Sequence, residues 1–221
     1  MPPHPLPEKG TAGRRRAARI LSRLKARYPE IGTALDYVNP WQLLVATVLS
    51  AQTTDETINR ITPVLFASYP TPFDLAGANP EEVEKTVFSS GFYRQKTKAI
   101  IALSKALVQR FGGAVPDDLD ALITLPGVGR KTASVVLAEA FRQPAIAVDT
   151  HVRRVARRLD LTAESDPVKI EHDLRRLYPQ QEWPAISMRF IQFGRDICDA
   201  RRPLCGECEL NRICRWPGKT V

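Results

Sequence analysis

The sequence has no apolar stretch long enough to cross a membrane, no cysteine before residue 198 and no segment with the alternating pattern of a half-buried strand. Each absence excludes a class. A helix spanning a bilayer needs about 20 consecutive apolar residues. The longest apolar run here, residues 41–51, is broken by Gln42, Thr47 and Ser50 and reads as a buried helix. Residues 1–13 are rich in proline and lack the apolar core of a signal peptide, so they read as a disordered tail and the protein as cytoplasmic. A reducing cytosol disfavours structural disulfides, which leaves the cysteines for other chemistry. Without period-two alternation there is no basis for a sheet, and no internal repeat is present. Acidic residues are the minority. The 24 Asp and Glu stand against 32 Lys and Arg, and the net charge of +8 favours a polyanionic partner, although ribosomal and membrane-surface proteins share that balance.

What is present is helical. Asn39-Pro40, Asn79-Pro80 and Asp166-Pro167 each set a capping side chain before a proline at the first helical position. Glu81 and Glu82 complement the dipole of the second of these helices, and Gly112-Gly113 after Phe111 supplies a stop. Residues 145–148 are short and apolar and read as a buried connector. These signals predict an all-α fold of roughly ten helices. Arginines crowd residues 14–27 and 142–176, while the middle is more apolar and nearer neutral. The expected organisation is a central helical domain over residues 33–143, with a hairpin at 118–141. A second, more basic domain is expected from residues 14–32 with 144–221.

Two segments carry chemistry. Leu125-Pro126-Gly127-Val128-Gly129-Arg130-Lys131 is a Gly-rich turn between two helical patterns, after a cap at Asp117 or Asp118. Glycines suit positive φ or close approach of backbone to a ligand. The outcome is a helix-hairpin-helix whose main-chain donors hold phosphate without reading sequence. It delivers Lys131 to a helix start, where the lysine either contacts phosphate or, once deprotonated, attacks a sugar carbon to form a Schiff base. Val148-Asp149-Thr150-His151 delivers a carboxylate to another helix start, where Asp149 also suits capping. On that helix Val152, Val155, Ala156 and Leu159 form an inward stripe. His151, Arg154 and Arg158 share a second face, either solvated or functional. Finally, Cys198, Cys205, Cys208 and Cys214 are spaced C-x6-C-x2-C-x5-C. Only one close pair is present, which fits structural zinc poorly, and ferredoxin spacings differ too. The chemistry says a metal site and leaves iron–sulfur and zinc both open.

Taken together these residues resemble the endonuclease III family of DNA glycosylases and abasic-site lyases. Residues 125–133 resemble its hairpin-and-lysine motif, residues 148–151 its aspartate motif, and the cysteine spacing its [4Fe–4S] loop; Leu49-Ser50-Ala51-Gln52-Thr53-Thr54-Asp55 resembles a further segment. The likeness runs from about residue 33 to Cys214. It implies a helix-hairpin-helix glycosylase fold, with an active-site cleft between a six-helix barrel and a helical domain bearing a [4Fe–4S] cluster on the four cysteines. The implied partner is double-stranded DNA containing damaged pyrimidines or abasic sites, met by a monomer associated with the nucleoid. By the same resemblance Lys131 attacks C1′ of a flipped-out nucleotide and Asp149 stabilises the developing charge. Gln52 would fill the gap left by the flipped base, and Phe92 stands where the family places its wedge. Gly127, Val128, Gly129, Arg130, His151, Arg201 and Arg202 would meet the DNA. Two positions depart from the family: Phe92 replaces a usual leucine and Phe193 a usual histidine. A related adenine-mismatch family lacks the lysine, so Lys131 favours the bifunctional enzyme. A non-catalytic hairpin protein with a structural metal would need no Lys131 and Asp149 pair.

Overall fold

The computed structural model describes residues 10–220. The helices follow as α1 (Gly10–Arg27), α2 (Pro40–Leu49), α3 (Asp55–Ser68), α4 (Pro72–Ala76), α5 (Pro80–Val87) and α6 (Tyr93–Phe111). After them come α7 (Leu119–Ile123), α8 (Arg130–Ala140), α9 (Thr150–Arg158), α10 (Pro167–Leu177) and α11 (Trp183–Asp196). No described residue lies in a strand, so the fold is all-α. The chain divides into two compact units, Thr33–Gln143 and a second made of residues 10–32 with 144–220.

The three capping signals act locally, as read. Asn39 Oδ1 accepts from the Gln42 N–H at 2.9 Å, Asn79 Oδ1 from Glu81 at 2.9 Å and Asp166 Oδ1 from Lys169 at 3.0 Å. Each satisfies an amide that has no partner inside its helix. Gly112, at φ +60°, ends α6 in the left-handed region that glycine enters freely.

In the unit Thr33–Gln143, α2 is the central rod. Residues 43–49 are all buried, and the one hydroxyl among them, on Thr47, donates to Leu43 O at 2.7 Å. Helices α4 and α5 pack on α6, and α8 packs on α2. Leu43, Leu44, Ile58, Ile100, Leu103 and Val136 are fully enclosed.

In the other unit α1, α9, α10 and α11 share a core that includes Ala17, Ile20, Leu24, Val152, Val155 and Phe190. Residues 145–148 are buried without forming a strand, and the Ala147 N–H is satisfied by Ser187 Oγ at 3.0 Å. The expected tail needs correction where it meets α1. Residues 1–9 lie outside the described residues, but residues 10–13 are helical. The inward stripe of α1 starts at Gly13 and continues through Arg16, Ala17, Ile20, Leu21 and Leu24. A stripe opening on glycine and arginine has no apolar signature, so the composition hid it. Buried Arg16 donates to Asp160 O at 3.2 Å and Ile213 O at 3.0 Å, tying α1 to the end of α9 and to the cysteine segment.

Candidate functional site

The hairpin lies in the unit Thr33–Gln143. Asp118, rather than Asp117, caps α7, its Oδ1 accepting from the Ala121 N–H at 2.8 Å. Arg110 on α6 secures the other end by donating to Thr124 Oγ1 at 2.6 Å. Leu125 and Val128 are buried beneath the turn, and the Val128 N–H donates to Leu125 O at 3.1 Å. The two glycines answer different demands. Gly127 has φ +76°, and a Cβ there would stand 3.2 Å from Ala99 Cβ and 3.6 Å from Val48 Cγ1. Gly129 has an ordinary φ of −89°, and a Cβ there would meet nothing within 4 Å. Its bareness faces outward. Helices α2, α3, α4, α5, α7, α9 and α10 each receive a side-chain cap, whereas α6, α8 and α11 receive none, and α8 begins at exposed Gly129. Uncapped amides at the positive end of a helix dipole form an anion site. Lys131, the second residue of α8, is exposed and makes no hydrogen bond or ion pair within its unit. Arg130 beside it is half-buried.

The hairpin packs on the helices whose ends lead to two other expected DNA contacts. Val48 is near the end of α2, followed by the turn holding Gln52; Ala99 is near the start of α6, preceded by Phe92. Gln52 is exposed with φ +56°, and Phe92 is 63% exposed with φ +46°. Phe92 therefore does not pack under its loop; its neighbours Phe88 and Tyr93 pair with each other instead, with centroids 4.9 Å apart. Sequence reasoning missed the residue behind these loops. Lys96, 6% exposed, donates through Nζ to Thr53 Oγ1 at 2.7 Å and Ser90 O at 2.6 Å. The available signal was a lysine directly before Thr97 and Ile100 on the inward stripe of α6.

Asp149 and His151 lie in the other unit, at the start of α9. Asp149 Oδ1 caps the helix by accepting from the Val152 N–H at 2.8 Å, and the half-buried carboxylate makes no other hydrogen bond among the described residues of its unit. Arg154 Nη2 stands 3.0 Å from His151 Nδ1 and donates to Gly194 O at 2.8 Å. Burial pulls the His151 pKa below its usual 6.5; the Asp149 carboxylate opposes this and Arg154 reinforces it. Gly194 lets α11 approach this corner, since a Cβ there would lie 3.1 Å from both His151 and Arg154.

The basic face of α9 turns out to be neither simply solvated nor wholly free for a ligand. Arg154 Nε donates to Cys198 O at 3.0 Å, while Arg158 donates to Asp199 O at 2.6 Å and Ala200 O at 2.9 Å. The Arg158 guanidinium also stacks 3.9 Å from the Trp216 ring centroid and reaches Cys198 Sγ at 3.4 Å. These two arginines hold the loop after α11. Within it, Asp199 Oδ1 accepts from the N–H groups of Arg201 and Arg202, both at 2.8 Å, leaving their side chains exposed. Those two backbone bonds hold the Asp199 carboxyl below its usual range. Exposed Arg153 and Arg157 border an open hollow along the same helix.

Cys198, Cys205, Cys208 and Cys214 line one pocket, together with Arg158, Leu159 and Phe193. Phe193 is 1% exposed and belongs to the core of this unit. Asn211 Nδ2 braces Cys205 O at 2.6 Å, and Lys219 Nζ braces Cys214 O at 3.2 Å. Among the described residues no three His, Cys, Asp or Glu side chains converge closely enough for a single ion. Four thiolates on one zinc would stand about 3.8 Å apart. Burial pushes the Cys208 thiol up to about 11 and raises Cys214 as well, so thiolates here require a cation to offset desolvation.

An all-helical fold with a phosphate-ready hairpin and a four-cysteine pocket defines a class of DNA-repair proteins. Residues 45–180 match the HhH-GPD superfamily of base excision DNA repair proteins. Endonuclease III of Synechocystis sp. is 49% identical over 207 residues, covering 93% of this chain and 94% of that protein. Two solved structures each align with a TM-score of 0.87 at 41% identity, over 91% of this chain and 95% of theirs. One is a non-covalent Endonuclease III–DNA complex and the other a trapped covalent Endonuclease III–DNA intermediate. The chain belongs to the endonuclease III family. No helix of the described residues is long and apolar enough to cross a membrane.

Proposed function

We propose that the protein removes oxidised pyrimidines from duplex DNA and cleaves the resulting abasic site by β-elimination through a Schiff base on Lys131. The observation that carries this reading is the exposed Lys131 amine, free of any partner in its unit, one residue into a helix whose first amides no side chain caps. The hairpin amides hold a backbone phosphate and so fix the register of the strand, while the flipped nucleotide offers C1′ to the amine. Attack at C1′ expels the base and opens the sugar to an imine. Loss of a proton from C2′ then expels the 3′-phosphate, and water releases the amine. Asp149 stabilises the positive charge that develops on the sugar as the base departs. Its cap to Val152 fixes one oxygen and leaves the other for this role. Gln52 and Phe92 occupy the opened stack, and His151, Arg201 and Arg202 contact the DNA. A cytoplasmic, nucleoid-associated monomer goes with that substrate.

The four cysteines line one pocket and their spacing resembles that of a [4Fe–4S] loop, which supports the cluster as the group they hold. When bound, the cluster supplies four iron–thiolate links that brace the loop presenting Arg201 and Arg202. Arg154, Arg158 and Asn211 already hold that loop through the carbonyls of Cys198, Asp199 and Cys205, while Lys219 holds Cys214 O beyond it.

Borohydride trapping on duplex DNA containing an abasic site tests the reading. The wild-type protein should give a covalent adduct, and Lys131→Ala should give none while melting at the same temperature. Asp149→Asn keeps a capping side chain, so it should keep stability and DNA affinity yet excise the base about 100-fold more slowly or worse. An adduct of normal yield from Lys131→Ala would assign the nucleophile elsewhere.

A further inference from the structure

Buried Lys96 has no part in the chemistry above, yet it is held by two separate loops. Its ammonium donates to Thr53 Oγ1 on the turn after α2 and to Ser90 O on the turn before α6. The Thr53 hydroxyl itself donates to Ser90 O, closing a three-membered network. The Lys96 backbone N–H adds a bond to Phe92 O at 3.1 Å. The residues at the tips of these loops, Gln52 and Phe92, are both exposed non-glycine residues at positive φ, a conformation that persists only where the surroundings enforce it.

A cross-link between two loops needs neither a buried charge nor a lysine; an apolar side chain would fill the same space without desolvating an ammonium. No carboxylate compensates here, and burial alone lowers the Lys96 pKa. What the ammonium provides is direction, because its donors point at one carbonyl and one hydroxyl from different segments and fix their separation.

We propose that Lys96 is a positioning residue that joins the Gln52 and Phe92 loops into one rigid two-pronged element, which enters the base stack as a unit. This rests on the proposed function for the identity of the target. Opening a stacked, paired nucleotide is the step that needs both prongs in register. An already unpaired nucleotide needs neither.

The experiment compares wild type with Lys96→Met, which keeps the stem and removes the donors. Thr53→Val, which removes the shared hydroxyl at constant shape, serves the same comparison if Lys96→Met folds poorly. Single-turnover excision is measured on an oxidised pyrimidine in matched duplex and on the same lesion facing an abasic gap. Rates are normalised to the fraction of protein that borohydride traps. Hydrogen exchange of residues 50–54 and 88–92 is measured on the free protein. The expected result is a loss of about tenfold on the matched lesion, under twofold on the gapped one, and faster exchange in both loops together. Adding Lys96→Met to a Gln52→Ala, Phe92→Ala protein should cost nothing further. Equal losses on both DNAs, or faster exchange confined to residues 88–92, would overturn the proposal. If the wild type excised neither substrate, the functional reading would fall, and exchange would still decide the coupling: joint loosening supports it and isolated loosening ends it.

Discussion

Gly127 and Gly129 lie two residues apart and are required for different reasons. Gly127→Ala forces a Cβ into the left-handed region and to within 3.2 Å of Ala99. It should lower stability by about 1–2 kcal/mol, seen as a melting temperature roughly 2–8 °C lower. Gly129→Ala meets nothing within 4 Å and has no backbone conflict. That variant should melt like wild type and bind duplex DNA more weakly, because the new methyl crowds the phosphate. Normal DNA affinity in a filter-binding assay would remove Gly129 from the interface. His151 is a second single-residue case. Its pKa is depressed by burial, so the unfolded chain takes up a proton at a higher pH than the folded one. The neutral ring therefore contributes stability that is complete above about pH 6.5 and declines as pH falls through the folded value. Protonation also sets a charge against the Arg154 guanidinium 3.0 Å away. Replacing His151 with Gln should flatten the acid limb of stability against pH, measured by denaturant melts between pH 7 and 5.

At the scale of elements, α9 is a lever between the carboxylate at its start and the cysteine loop packed along it. Val152, Val155 and Ala156 bury one face, and the opposite arginines reach carbonyls of Cys198, Asp199 and Ala200. Arg158 is better suited to this than lysine, because a planar fork serves two carbonyls and still stacks on Trp216. Arg158→Lys should loosen residues 198–202 in hydrogen exchange and speed loss of visible cluster absorbance under peroxide. Arg157→Lys, one position away and exposed, should leave the cluster unchanged. Equal cluster lifetimes in the two variants would mean that the loop is held by its metal links alone. Helix α8 shows the complementary principle: an end left without a cap is available to a ligand, whereas α2, α3, α4, α5, α7, α9 and α10 satisfy first-turn amides with their own caps.

For the molecule as a whole, the net charge of +8 predicts DNA binding that weakens steeply with salt. Asp199 fixes the backbone of exposed Arg201 and Arg202, which the proposed function assigns to that footprint. Replacing both with serine should lower the slope of log affinity against log salt by about 2, measured on undamaged duplex. An unchanged slope would place both side chains off the DNA. One unit is assembled from both ends of the chain, with Thr33–Gln143 inserted between its segments. Its core unites α1 with α9, α10 and α11, and buried Arg16 binds Asp160 O and Ile213 O across 144 and 197 residues of sequence. Closing such a span costs chain entropy before those contacts form. The cluster proposed on the four cysteines would add constraint to the unit that bears this cost.

What the sequence by itself determined were features whose physics is local. The Asn39, Asn79 and Asp166 caps each involve groups two or three residues apart. The stop at Gly112 and the turn at Gly127 follow from the positive φ that glycine adopts at no steric cost. The hairpin lysine and the capping aspartate were legible for the same reason, because a helix start fixes where the next few side chains stand. The tertiary structure alone decided which charges turn inward. Arg16, Lys96, Arg154 and Arg158 look in sequence like any other basic residues on amphipathic helices. Their acceptors are the carbonyls of Asp160, Ser90, Gly194 and Asp199, of which only Ser90 is a near neighbour in sequence. A carbonyl has no sequence signature, since every residue carries one; only folding determines which are left without a donor and which cation stands within reach.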